Sequence, residues 1–134
     1  MNRDYFNQEI IQILEDGKVE NQNINNCELI KSIMLDETIN VSLFEKFKSN
    51  YETLYGNDQD FFVMKIQDLV YRVNILINDI LLESGIPKEK LHNIIYHYVE
   101  NEMIDFYSAV NYNEDDIFDM RDTYESEGVY IKWK

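Results

Sequence analysis

Oxygen-bearing side chains crowd one short stretch of this 134-residue chain, and their spacing raises the question of a metal site. Counted from Asn111, "NYNEDDIFDMRD" sets Asn111, Asn113, Asp115, Asp119 and Asp122 at positions 1, 3, 5, 9 and 12, where an EF-hand loop carries its calcium ligands. Asp116 stands at the sixth position, where glycine permits the sharp turn, and Asp122 replaces the longer bidentate Glu at the twelfth. Calcium binding is therefore not expected. His92 and His97 are five residues apart, about 140° around a helix, so they do not share a face as a metal-binding i, i+4 pair would. They are expected to be surface or capping histidines.

The remaining chemistry is excluded on similar grounds. A single cysteine, Cys27, cannot build a Cys-rich zinc site or an internal disulfide. Four glycines could hardly supply a phosphate-cradling loop, and neither an HExxH pair nor a Ser, Cys or Thr nucleophile signature is present. HEPN-class helical nucleases place an Arg a few residues before a His, whereas Arg72 lies 20 residues before His92. Carboxylates are abundant, but abundance does not identify an acid–base pair. The expectation is a non-enzymatic protein with no cofactor and no metal.

Charge is the outlier. The chain carries 26 acids and 12 bases, a net charge of −14. Residues 100–127 hold ten of the acids and one base, so more than half of the net charge sits in about a fifth of the chain. The 17 Ile, 15 Asn and 10 Tyr are what an AT-rich coding sequence produces, and the same bias should raise lysine, yet there are only nine. Scarce lysine against that background points to selection for negative charge. Direct nucleic-acid binding is disfavoured, because phosphates would be repelled.

These side chains must be positioned by a mainly helical chain. A first helix is expected over about Arg3–Asp16, with Phe6, Ile10, Ile13 and Leu14 on one face and Gly17 past its end. The polar stretch "KVENQNINN" reads as a loop. A short helix follows from about Cys27 to Leu35, with Asn26 as its cap, and "NVSLFEKFKSNYETLYG" reads as the third. The fourth, about Gln59–Glu83, repeats Phe62, Ile66, Leu69, Val70, Val73, Ile77, Ile80 and Leu81 at three- and four-residue spacing. Gly85 stops it, and Pro87 opens the first turn of a fifth helix running from about Lys88 to Val110, with Leu91, Ile94, Ile95, Tyr98 and Val99 inward. A short acidic helix, about Glu114–Tyr124, and an extended or β tail, "GVYIKW", complete the chain. The expected fold is one domain over 1–134: an irregular all-α or mainly α bundle of five to six helices, with a core over 1–110 and the acidic helix and tail over 111–134. No apolar run reaches the length of a membrane span. The N-terminus lacks an apolar signal region, so a reduced, cytosolic location is expected.

On the sixth helix, Asp115, Asp116, Asp119 and Asp122 fall on one side and Ile117, Met120 and Tyr124 on another. Such a helix docks on the bundle and still holds four aspartates in solvent. Acids one turn apart sit roughly 5–6 Å apart, against roughly 3.4 Å per charge along a nucleic-acid strand, so the face approaches a phosphate row in density. Like charges this close cost a few tenths of a kcal/mol per pair. The bland alternative is a solvated face that aids solubility. Tyr96, Tyr98, Tyr107, Tyr112, Tyr124 and Tyr130 crowd the same third; some must be core, but tyrosine among carboxylates is also an interface composition. The expected partner-binding residues are Glu100, Glu102, Asp105, Tyr112, Glu114, Asp115, Asp116, Asp119, Asp122, Tyr124, Glu125 and Glu127.

The combination resembles small acidic inhibitors carried by phages and mobile elements, and immunity proteins of bacterial toxins. "NYNEDDIFDMRDTYESEGVYIKW" is similar to the end of ArdA-type antirestriction proteins, where a Tyr/Asp-rich acidic helix with an "RD" pair precedes a Gly-containing extended tail. That resemblance covers about 23 residues and implies a DNA-mimicking surface at Asp115, Asp116, Asp119 and Asp122. The partner it implies is a basic nucleic-acid-binding protein in the bacterial cytoplasm, such as a CRISPR effector or a restriction enzyme. Two readings stay beside it. One is an immunity protein that neutralises a toxin nuclease. The other is an acidic structural or regulatory subunit, a homodimer through its aromatic helices being its simplest form.

Overall fold

The computed structural model describes residues 2–19, 22–55 and 59–100. Of these, 82 % are helical, which establishes the mainly α bundle. Helix α1, Arg3–Asp16, starts where the Asn2 side chain accepts the Tyr5 amide at 2.9 Å, a side-chain cap for an otherwise orphaned donor. It ends where Gly17, at φ +70°, turns left-handed and donates its N–H to Ile13 O. Phe6, Ile10, Ile13 and Leu14 are all buried, the face expected from their spacing.

The stretch after Gly17 corrects the expected loop. Lys18–Val19 (β1) and Gln22–Asn23 (β2) pair antiparallel, and the Ile24 amide closes the hairpin onto Gly17 O at 2.9 Å. Val19 and Ile24 are buried and anchor the hairpin to the core, a signal too short to register among seven polar neighbours. Asn26 also departs from its expected role. It is left-handed, at φ +58°, and its side chain makes no cap to α2, Cys27–Met34. Asparagine tolerates that conformation better than other side chains, and its amide bonds elsewhere, as described below.

Helix α3, Glu37–Tyr55, begins three residues before the expected "NVSL" start. Asp36 Oδ1 accepts the Thr38 and Ile39 amides at 3.1 and 3.2 Å, so the cap decides the boundary that the apolar pattern missed. Asn40, only 2 % exposed, is held by two acceptors. Its Nδ2 donates to Asn7 Oδ1 on α1 at 2.8 Å and to Met34 O at the end of α2 at 2.9 Å.

Helix α4, Gln59–Asn74, does not run as regular α-helix to Glu83; Ile75–Leu82 is wound as π-helix. The stretch "ILINDILL" is apolar almost all round, so periodicity could not reveal the change of winding. It closes on a Schellman arrangement: Gly85, at φ +85°, donates to Leu82 O at 3.0 Å and Ile86 to Leu81 O at 3.1 Å. Buried Ile86 and Leu81 supply the accompanying apolar contact. Pro87 lies one position earlier than expected, capping a 3₁₀ turn at Lys88–Lys90 that leads into α5, Leu91–Glu100.

The core joins all five helices. Phe47 of α3 lies 5.2 Å from Phe6 of α1, 4.9 Å from Tyr51 and 6.5 Å from Phe62 of α4, centroid to centroid. Tilted ring pairs at these separations are favourable beyond the area they bury. α5 packs on α3 and α2 through Leu91, Ile94, Ile95, Tyr98 and Val99, all buried. The expected fourth-helix stripe is buried too, Ile80 partly. Among the described residues no helix is long and apolar enough to cross a membrane. The continuation of α5 towards Val110, the acidic helix at Glu114–Tyr124 and the tail "GVYIKW" lie outside the described residues.

Candidate functional site

Of the expected partner-binding residues, Glu100 alone is described. It is the last residue of α5 and exposed, yet the fold already uses it. Ser42 Oγ donates to Glu100 Oε1 at 2.7 Å, and Lys46 Nζ donates to the Glu100 carbonyl at 3.1 Å. Ser42 and Lys46 are one turn apart on α3 and so grip one residue by its side chain and its backbone. The acidic stretch thus begins at a tethered point on the bundle. Glu102, Asp105, Tyr112, Glu114, Asp115, Asp116, Asp119, Asp122, Tyr124, Glu125 and Glu127 lie outside the described residues.

The histidines and tyrosines sort as follows. His92 and His97 are both half-buried, and the Tyr96 ring meets the His97 ring edge-on at 5.6 Å. Tyr98 is core and Tyr96 is half-buried, while the other four tyrosines of that group lie outside the described residues. Among the described residues no three His, Cys, Asp or Glu side chains are grouped to hold a metal ion. Cys27 is free and half-buried, its Sγ donating to Ile24 O at 3.3 Å.

Two arrangements were not legible beforehand. The first is a carboxamide network on the π-helical stretch. Asn78 accepts from Asn26 Nδ2 at 2.6 Å and donates to Asn25 O at 2.9 Å and to Asn74 Oδ1 at 2.7 Å. It ties the start of α2 to the far end of α4. Beside it opens a shallow cleft of about 520 Å³ lined by Asn25, Asn26, Asn78, Asp79, Leu82 and Glu83. With Asp79 and Glu83 exposed at its edge, the cleft offers mainly acceptors and is suited to a cationic group rather than an anion. Asn74 and Asn78, one turn apart where the chain turns mostly apolar, were its only trace in the sequence.

The second is the outer face of α4. Phe61 and Met64 are each 41 % exposed and are the large apolar side chains left in solvent among the described residues. Nearby, Lys65 is drawn down, its side chain 14 % exposed, between Asp68 at 3.8 Å and the Tyr51 ring at 5.5 Å. Tyr5 of α1 has its pKa raised above 10.0 by burial first, then by the carboxylates of Glu9 and Asp60, which places these three groups together where α1 meets α4. No protein family, curated protein or solved structure matches the chain.

Proposed function

We propose that this protein is a non-enzymatic acidic inhibitor that occupies the nucleic-acid-binding surface of a basic defence nuclease or effector of the anti-CRISPR or antirestriction kind. The observation that carries this reading is the placement of ten acids and one base within residues 100–127. Two features of the bundle support it. Among the described residues the buried apolar core runs from Phe6 to Val99, so the acidic stretch follows directly on a packed helical body. The first residue of that stretch, Glu100, is held against α3 by Ser42 and Lys46. Carboxylates there oppose the Lys and Arg that otherwise hold phosphates, with steering that speeds association and weakens with salt.

The test is competition. Replacing Asp115, Asp116, Asp119 and Asp122 by Asn removes four charges and keeps side-chain size. The captured partner should lose most of its affinity for the variant, and duplex DNA should displace it from the parent chain. Binding that survives the four substitutions, or that is equally tight at about 0.05 and about 0.5 M salt, well across the screening range, refutes the reading.

A further inference from the structure

The cleft beside the π-helical stretch has a fixed polarity. The Asn25 carbonyl can only accept, so the Asn78 amide must turn its Nδ2 towards it, at 2.9 Å. Nδ2 gives its second hydrogen to Asn74 Oδ1 at 2.7 Å, which leaves Asn78 Oδ1 to accept from Asn26 Nδ2 at 2.6 Å. Asn78 therefore has no donor left for the cleft, and Asn26, which lines it, keeps the acceptor Oδ1. Asp79 and Glu83 add carboxylates one turn apart at the edge. Both are exposed, with no ion pair or hydrogen bond to either among the described residues. Half-buried Leu82 lines the same cleft and gives it an apolar wall. Asn26 is also the non-glycine residue held at positive φ among the described residues, and π winding recurs at functional sites.

The lining selects the occupant. Its volume, about 520 Å³, is many times the roughly 30 Å³ share of one water, and no three His, Cys, Asp or Glu side chains are grouped among the described residues. An organic cation fits these facts better than a bare metal ion. Oxygens from two elements suit a planar guanidinium, whose five N–H groups point several ways, better than a compact ammonium. Leu82 suits the aliphatic stem that carries it. A free small molecule is bound by enclosure, whereas a shallow cleft receives a side chain delivered from another surface. We propose that the cleft between Asn25–Asn26 and Asp79–Glu83 takes an arginine side chain of a protein partner. Its guanidinium lies on the oxygens of Asn26, Asp79 and Glu83, and its stem lies along Leu82. This rests on the proposed function only in taking a basic partner to supply the arginine. It adds a directional contact on the helical body, which fixes orientation where charge alone cannot.

The experiment titrates the isotope-labelled full chain with N-acetyl-arginine methylamide and follows its backbone and carboxamide resonances by nuclear magnetic resonance. Saturable shifts are expected at Asn26, Asn78 and Leu82. The neutral isostere N-acetyl-citrulline methylamide should bind at least tenfold more weakly, and the lysine analogue at least threefold. The Asp79→Asn, Glu83→Gln double variant should weaken the arginine probe at least tenfold at unchanged helical circular dichroism. Asp4→Asn with Glu45→Gln removes the same two charges from exposed positions on α1 and α3, and should change the affinity less than twofold. If the first double variant unfolds, Glu83→Gln alone should weaken binding at least threefold. Asn26→Gly, which keeps a left-handed backbone and removes Oδ1, should also weaken it at least threefold. Shifts absent from the cleft, equal binding of the citrulline or lysine probe, equal losses in the two double variants, or unchanged affinity of folded Asn26→Gly overturns the proposal. Failure here leaves the inhibitor reading to its own competition test. A cleft that passes, in a chain whose partner survives the four Asp→Asn substitutions, stands without that reading.

Discussion

Asn40 offers the sharpest test of how the bundle is held together. Its Nδ2 faces Met34 O, a backbone carbonyl that can only accept, so the orientation of the amide is fixed by chemistry. The same nitrogen donates to Asn7 Oδ1, and one side chain thereby joins α1, the end of α2 and α3. Asn40→Ala removes both bonds and leaves the Met34 carbonyl without this donor. Two bonds at about 1 kcal/mol each, with part of a desolvation penalty of about 1–3 kcal/mol for a buried orphan, predict a loss of about 2–3 kcal/mol. At a urea slope of about 1.5 kcal/mol/M, the midpoint should fall by roughly 1.5–2 M with the slope unchanged.

Asn40→Asp makes the test stricter. At neutral pH its carboxylate has no proton to give and faces the Met34 carbonyl oxygen, so it should cost more than Ala. Burial and that oxygen favour the neutral acid, raising the folded-state pKa above an unfolded value of about 3.9. The folded state then binds more protons than the unfolded state, so the penalty is small below about 3.9 and grows as pH rises through the folded pKa. The assay is urea unfolding of parent and both variants from about pH 4 to about pH 7.5, compared at each pH. An Ala loss below about 0.5 kcal/mol, or an Asp penalty flat across that range, would refute the reasoning.

Three further outcomes follow from single features. Asn78→Ala should destabilise by about 1–2 kcal/mol, since it removes three hydrogen bonds that are partly open to water, and hydrogen exchange should quicken at the start of α2 as well as in Ile75–Leu82; a change confined to the π-helical stretch would sink the tie between them. Gly85→Ala and Gly17→Ala should each cost about 1–2 kcal/mol, because a Cβ at either position meets nothing within 4 Å and the left-handed backbone is the whole penalty; a neutral effect in thermal melts would contradict this. Tyr5 should ionise late in an ultraviolet pH titration, and Tyr5→Phe should remove that component. With the folded pKa raised, its stabilisation is complete below about 10 and is lost as pH climbs beyond, so the parent chain should weaken relative to Tyr5→Phe only at strongly alkaline pH.

The inward faces of α1, α4 and α5 were legible residue by residue, because burying one side of a helix imposes a period of about 3.6 on the chain. The extent of α1 and the stop at Gly85 were legible for a local reason: a side-chain cap or a left-handed glycine acts within a few residues. Legibility failed where a cap outweighed the apolar pattern, as Asp36 did at the start of α3, and where apolar residues all round hid a change of winding, as at Ile75–Leu82. It failed also for the hairpin, whose two-residue strands are held by Val19, Ile24 and the closure onto Gly17 rather than by a pattern of their own. The acidic candidate site was read from charge, from the tyrosines among it and from a resemblance, and one of its twelve residues, Glu100, falls among those described.

The sequence by itself determined a mainly helical chain, its inward faces and an excess of carboxylates concentrated after residue 99. These are sums over composition and short-range period, which need no knowledge of distant neighbours. Only the tertiary structure decided that Asn40 reaches Asn7 across 33 residues, Asn78 meets Asn26 across 52 and Ser42 holds Glu100 across 58. It also decided that Phe61 and Met64 are left outside the core. A hydrogen bond or a patch of exposed surface belongs to whichever elements packing brings together, and spacing along the chain does not encode that partner.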